Sequence, residues 1–185
     1  MIYFTSDTHF NHDREFIFGP RGFKNITEAN ETIIKNWNEI VKPDDDIYVI
    51  GDFFLGTDID FVKEALKTLN GNIYLIIGNH DTPAKIKIYK ESANVVEIVW
   101  ATQIEYNGRK FYLSHYPTLT ADLNSNPDKC VFNLFGHTHS KEKFYEDRPY
   151  MYNVAVDAHD NRPVSIEEVF TDIQNEIKKC NNFLN

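Results

Sequence analysis

The chain has 185 residues, 42% of them hydrophobic and 25% charged, a length and balance that suit one globular domain spanning 1–185 with a sizeable core. Its net charge of −9 opposes long-range attraction to duplex nucleic acid or acidic membranes, although bound divalent cations would offset that repulsion locally. No apolar run approaches the roughly 20 residues needed to span a bilayer, and "MIYFTSDTHF" has neither the basic start nor the cleavage site of a signal peptide, so the expected location is cytoplasmic. Cys130 and Cys180 show no paired spacing and read as buried, reduced thiols.

In chain order, "IYFTS" (2–6) opens with a strand, and "TEANETIIKNWNEIV" follows as a helix. Its apolar stripe is Ala29, Ile33, Trp37 and Ile40, with Thr27 as the expected N-cap. "IYVIG" (47–51) is a second strand, and "DIDFVKEALKTL" is a helix with Phe61, Val62, Ala65, Leu66 and Leu69 on one face and Gly71 after its end. "IYLIIG" (73–78) is a third strand. These first three are apolar nearly throughout, as in parallel strands covered on both faces. "IEYNGRKFYLSH" places Asn107-Gly108 between alternating runs, the signature of a hairpin with a type I′ turn. "FNLFG" (132–136) and "YMYNVAVD" (150–157) add strands, and "SIEEVFTDIQNEIKKC" is a closing helix with Ser165 and Glu168 in capping-box spacing. The pattern predicts a layered α/β fold, parallel at its start and with antiparallel pairs later.

Chemistry follows the strands. Asp7 and His9 come after the first, Asp52 after the second, and Asn79, His80 and Asp81 after the third. His115 follows "FYLS" (111–114), and His137 and His139 follow "FNLFG". In open α/β sheets ligands bind beyond the carboxyl ends of strands, so these groups can converge on one rim. The set offers oxygen and imidazole donors and no thiolate, which suits Mn, Fe, Zn or Ni rather than a structural thiolate zinc site. The donors outnumber the needs of one four-coordinate ion and fit two divalent metals about 3.5–4 Å apart sharing a carboxylate. On that reading His137 and His139 serve different ions. Each piece alone has a bland alternative: Asp after a strand is common in turns, and His115 could be a satisfied loop histidine. Their joint occurrence, in order and all at strand ends, is hard to obtain from turn preferences.

"SDTHF", "GDFF", "GNHD", "SHYP" and "GHTH", in this order over residues 6 to 139, resemble the motifs of the calcineurin-like metallophosphoesterases. "NWNEIVKPDDDIYVIGDF" and "NVAVDAHDNRPVS" further look like a small, uncapped bacterial and phage branch. The resemblance implies a four-layered α/β/β/α sandwich with mixed sheets. It implies one metal held by Asp7, His9, Asp52 and His139 and a second by Asp52, Asn79, His115 and His137, with Asp52 bridging. It also implies phosphoester hydrolysis in which hydroxide attacks phosphorus in line. His80 would assist the leaving group, and Asp81 would hydrogen-bond the His80 imidazole as its partner.

His12 and Arg14 are candidate phosphate contacts with an equally weighted reading as solvated loop residues, and Arg21 and Lys24 in "GPRGFKN" are similar. Asp157 and His159 read either as supports of the site or as turn residues, and Phe53, Phe54 and Tyr116 as pocket walls or core. "GDFFLGT" lacks the arginine with which the protein phosphatases of the superfamily grip a monoester, and Asp81 stands where they carry Glu. The expected substrate is therefore a small or accessible phosphodiester, with a monoester, a nucleotide or a dinucleoside polyphosphate as the alternative. A non-catalytic scaffold of the same fold is the alternative from another class, and the presence of His80 weighs against it.

Overall fold

In the computed structural model, which describes residues 1–120 and 130–183, the strand and helix patterns sort into two mixed sheets and their flanking helices. The first sheet takes β1 (Ile2–Thr5), β2 (Asp46–Ile50), β3 (Asn72–Ile76) and β4 (Val95–Val99) side by side and parallel. The second begins with the hairpin of β5 (Ala101–Tyr106) and β6 (Arg109–Ser114), where Asn107 and Gly108 both have positive φ, as a type I′ turn requires. Parallel to β6 runs β7 (Phe132–Phe135), then β9 (Arg148–Asn153), with β8 (Phe144–Tyr145) antiparallel at the edge. The short β10 (Val164–Ser165) returns the chain antiparallel to β1.

Strand alternation splits the core in two. Ile47, Val49, Ile73 and Leu75 face a cluster shared with Ile33 and Trp37 of α2 (Ile26–Ile40), Val62 and Leu66 of α3 (Ile59–Thr68), and Tyr89 of α4 (Pro83–Lys90). Phe4, Ile50 and Ile76 face the other way, into a cluster with Phe111, Leu113, Phe132, Leu134 and Tyr152 of the second sheet. Val169, Ile173 and Ile177 of α5 (Ile166–Phe183) join that second cluster, so one helix face is common to both sheets. A four-residue α1 (Glu15–Phe18) sits in the loop after β1.

Several details depart from the sequence expectation. Asn25, not Thr27, caps α2: its side chain accepts from Glu28 N at 2.9 Å while its own backbone is extended. α4 and β4 are absent from the pattern reading, because α4 is only weakly amphipathic and its start is set by Thr82-Pro83 rather than by a side-chain cap. The last long strand stops at Asn153, and Val156–Ala158 forms a 3-10 turn that carries Asp157. The Ser165–Glu168 capping box forms as expected, with Glu168 N donating to Ser165 Oγ at 3.1 Å and Ser165 N to Glu168 Oε2 at 3.3 Å. Cys130 is buried but Cys180 is only partly so, and neither is in a disulfide.

Trp37 is fully buried and its indole N–H donates to the Asn70 carbonyl at 2.9 Å, tying α2 to the turn after α3. Trp37→Ala is expected to lower stability by about 3–5 kcal/mol, read as a shift in the urea midpoint with unchanged slope.

Candidate metal centre

Strand direction brings the donors together. β1, β2 and β3 are parallel in one sheet and β6, β7 and β9 in the other, so six chain segments leave their strands through carboxyl ends. A parallel bridge between Ser6 and Ala155, with Val156 N donating to Ser6 O at 3.1 Å, stitches the two sheets at that rim. Asp7 N donates to Gly51 O and His9 N to Asp52 O, each at 3.1 Å, which carries the β1–β2 pairing on into the loops.

The glycines of the motifs make room for this. A Cβ at Gly136 would collide with Ser6 Oγ and Asp7 Oδ2, and one at Gly78 with the backbone nitrogen and Oδ1 of Asp52. Five of the seven candidate donors have left-handed backbones: Asp7 (φ 53°), His9 (48°), Asp52 (53°), His137 (68°) and His139 (50°). Asp and His tolerate this region better than most residues, but the conformation still costs about 1–2 kcal/mol each. Such strain persists only where surrounding structure imposes it, and it aims these side chains inward.

Two groups of ligand atoms result, each with its members within 4.8 Å of one another: Asp7, His9 and His139, and Asp52, His115 and His137. In the first, Asp7 Oδ2 accepts from His137 N at 2.8 Å, leaving Oδ1 buried and, among the described residues, without a hydrogen-bond partner, as is His9 Nε2. Asp7 Oδ1 stands 3.8 Å from His9 Nε2 and 3.7 Å from His139 Nε2. In the second, Asp52 Oδ1 accepts from His80 N at 2.8 Å, and Oδ2 stands 3.4 Å from His115 Nε2. That same Oδ2 is 3.5 Å from His9 Nε2, so Asp52 lies between the groups. Asn79 Oδ1 joins the second group at 3.0 Å from His115 Nε2.

These separations decide what the groups suit. The carboxylate–imidazole separations, 3.4–3.8 Å, are longer than ordinary hydrogen bonds, and only the Asn79–His115 contact at 3.0 Å falls in that range. Ligands bound about 2.1 Å from a common ion stand roughly 3.0–3.5 Å apart, close to what is seen. The outer contacts agree: His115 Nδ1 donates to the Ile50 carbonyl at 2.9 Å and turns Nε2 inward toward Asn79 and Asp52, and His139 Nδ1 donates to Asp157 Oδ2 at 3.2 Å, which in the neutral ring leaves Nε2 as a lone pair aimed inward. Lone pairs face lone pairs across a buried space, and a cation is what that arrangement fits.

The electrostatics say the same. Burial alone would disfavour charge on His9 and His115, yet the Asp52 carboxylate, with Asp7, raises both above the ordinary histidine value. Asp52, although buried, is held well below the carboxylate range by His115 and His9. The carboxylates thus draw positive charge toward this space, which is the demand a bound cation would meet. His137 is lowered by burial and by His115 beside it. His12 is lowered to about 4 by burial and the charge on His9.

Residues outside the two groups divide. His80 is half-open to solvent, its Nε2 3.9 Å from Asp52 Oδ2. The expected hydrogen bond from Asp81 to the His80 imidazole is not made. The Asp81 carboxylate turns inward, accepting from the backbone N–H of Gly78 and Asp52 at 2.9 Å and of Phe53 at 3.3 Å, and from the Tyr89 hydroxyl at 3.1 Å. It therefore fixes the loop that presents Asp52. His12 Nδ1 lies 3.2 Å from His9 Nδ1, so it orients a donor as well as bordering the site. Arg14 is exposed, its guanidinium 3.5 Å from the Asp13 carbonyl. Lys24 is exposed at the start of α2, where its backbone N–H meets Glu28.

Arg21 is not a free phosphate contact: its side chain is buried against Asp157 and the Asp7 and Thr8 carbonyls. Asp157 reaches the site through His139, whereas His159 is buried, its Nε2 donating to the Asn153 carbonyl at 2.8 Å. Phe53 and Phe54 are core, and Tyr116 packs edge-on against His137, ring centroids 4.6 Å apart. The Arg21–Asp157 pair and the Tyr89–Asp81 contact escaped the sequence reading, because their partners lie 136 and 8 positions apart and no motif links them.

The profile of the calcineurin-like phosphoesterase superfamily domain matches residues 1–162. The chain belongs to that superfamily. As a calcineurin-like phosphoesterase it is a metal-dependent hydrolase of phosphoester bonds. It is 36% identical over 171 residues to the uncharacterized protein MJ1445 of Methanocaldococcus jannaschii, covering 90% of this chain and 87% of the relative. The gene 66 protein of Mycobacterium phage L5 is 33% identical over 84 residues, 44% of this chain and 40% of that protein. Among solved structures, the protein of unknown function AQ665 from Aquifex aeolicus superposes with a TM-score of 0.72 at 28% identity, over 92% of this chain and 98% of that one. Among the described residues, no helix of this calcineurin-like chain is long and apolar enough to cross a membrane.

Tyr89→Phe, which removes one of the four donors to Asp81, is expected to cost about 1 kcal/mol in urea unfolding. Asp81→Leu, which strands three buried N–H groups, is expected to cost at least about 3 kcal/mol and to lower activity along with stability.

Proposed function

We propose that the chain is a phosphodiesterase dependent on two divalent ions, manganese foremost, acting on small or accessible phosphoesters. The observation that carries this reading is the place of Asp52 Oδ2, 3.5 Å from His9 Nε2 on one side and 3.4 Å from His115 Nε2 on the other, between two groups of buried and half-buried donors. Asp7, His9 and His139 would hold one ion, and Asn79, His115 and His137 the other, with Asp52 shared. The donor set of carboxylate, amide and imidazole favours a hard-to-borderline ion, with Fe, Zn or Ni as other candidates. When bound, such a pair of ions supplies positive charge that acidifies water and neutralises phosphoryl oxygens.

The chain's own residues do the rest. Asp52 is held ready by the His80 N–H on Oδ1, so its Oδ2 is aimed without reorganisation. His80, at the open side with its imidazole reaching solvent, is placed to give a proton to the departing alkoxide. Tyr116, exposed beside His137, offers an aromatic wall to the leaving group.

Diester preference follows from where the cations point. A monoester dianion needs fixed positive charge, but the Arg21 guanidinium is occupied by Asp157 and two carbonyls. The Lys85 ammonium donates to the carbonyls of Phe54 and His80 at 2.6 and 2.9 Å. A diester carries one negative charge and asks less of such groups. The net charge of −9 supports a small phosphoester or nucleotide rather than duplex nucleic acid, and two cysteines without a disulfide suit the cytoplasm.

With Mn²⁺, bis(p-nitrophenyl) phosphate is expected to turn over faster than p-nitrophenyl phosphate, and chelation to abolish both rates. His80→Ala is expected to lower kcat by about 10²–10⁴-fold while manganese uptake, measured by elemental analysis, stays as in the wild type. Preference for the monoester would overturn the diester assignment, and turnover unaffected by chelation would overturn the metal dependence.

A further inference from the structure

The two donor groups are braced differently. In the second, His115 is oriented by a backbone acceptor, the Ile50 carbonyl. In the first, His139 is oriented by a charged side chain, Asp157, which is itself gripped by Arg21. The guanidinium binds in a fork, Nε to Asp157 Oδ1 at 2.9 Å and Nη2 to Oδ2 at 2.8 Å. It also reaches the loop after β1, Nη2 donating to the Asp7 carbonyl at 2.7 Å and Nη1 to the Thr8 carbonyl at 3.1 Å, and Nη2 stands 3.4 Å from His139 Nδ1. Both side chains are buried, 3% exposed for Arg21 and 8% for Asp157.

One ion pair therefore touches the backbone that carries Asp7 and His9 and the ring of His139, which are the three members of the first group. Among the described residues it makes no hydrogen bond or ion pair to the second. We infer that Arg21 and Asp157 are a positioning pair that sets the affinity of the first metal position without setting that of the second. The inference rests on the two-ion reading of the site.

The physical cause is a tautomer and a tether. An ionised Asp157 only accepts, so His139 must carry its proton on Nδ1 and present a bare Nε2 toward Asp7 Oδ1, 3.7 Å away. An asparagine at 157 has one acceptor oxygen where the fork and His139 together use two; with that oxygen on Arg21 Nε, its NH₂ faces His139. The ring then holds its proton on Nε2, where a ligand lone pair is required. The tether is the Arg21 fork, whose planar geometry a lysine does not reproduce.

The test is titration of metal-free protein with MnCl₂ by calorimetry, for the wild type, Asp157→Asn and Arg21→Lys. Wild type is expected to show two sites. Each variant is expected to lose about 10–100-fold affinity at one site and to keep the other, the usual range for removing an outer partner of a metal-bound histidine. Activity of Asp157→Asn is expected to recover as Mn²⁺ is raised, which a merely structural lesion would not do. If a single substitution fails to fold, Arg21→Met with Asp157→Leu removes both charges together, leaves neither buried alone, and is expected to weaken the same one site. Two wild-type-like sites in the folded variants, or equal weakening of both sites, would overturn the positioning role alone. A wild-type chain that takes up no manganese would overturn the two-ion reading, and this inference with it.

Discussion

Buried lone pairs facing one another are the constraint on which the structure turns. Among the described residues Asp7 Oδ1 and His9 Nε2 have no hydrogen-bond partner, and Asp52 Oδ2 stands between imidazoles at 3.5 and 3.4 Å, longer than an ordinary hydrogen bond. Leaving a buried polar atom unsatisfied costs about 1–3 kcal/mol, and more when it is charged. A fold that collects several of them at one rim is destabilised there unless positive charge is supplied. The raised proton affinity of His9 and His115 is the same demand seen from the imidazole side.

The rest of the architecture serves this collection. Parallel strands end together, so their following residues share an edge, and two sheets meeting there double the number of side chains that can converge. Backbone pairing continues past the strands, through Asp7 N to Gly51 O and His9 N to Asp52 O, which keeps the loops from relaxing outward. Asp81 plays the corresponding part beneath Asp52: its carboxylate gathers three N–H groups that no sheet satisfies. Packing does the remainder, with Phe53 next to Asp52 locked between Trp37 and Tyr89. Rigidity at the rim is thus inherited from the core below it.

Much of this could be read from residue order. Apolar runs closed by Asp, Asn or His marked the strand ends, and the glycines beside them marked where backbones approach closely, as Gly78 and Gly136 do. What could not be read is partnership. Asp81 looked like a companion for the neighbouring His80 because adjacency is visible in a sequence and a set of backbone donors is not. Arg21 looked like a solvent-facing cation because its acid lies 136 positions later. α4 and β4 were missed because their pattern is weak and tertiary contact, with Tyr89 in the core, decides them. Asn25 displaced Thr27 as a cap through a choice between two good cap residues that only the backbone angle settles.

The left-handed turns at Asp7, His9, Asp52, His137 and His139 have a consequence for how the molecule is assembled and lost. Local preference does not hold these residues in place; long-range contacts such as Asp7 N to Gly51 O, His9 N to Asp52 O and Val156 N to Ser6 O do, so the rim belongs to the docked pair of sheets. An ion captured there would be tied to the completed fold and would protect it by mass action. The chain's resistance to heat and to proteases would then rise with the supply of its ion, making the centre a keystone as well as a tool.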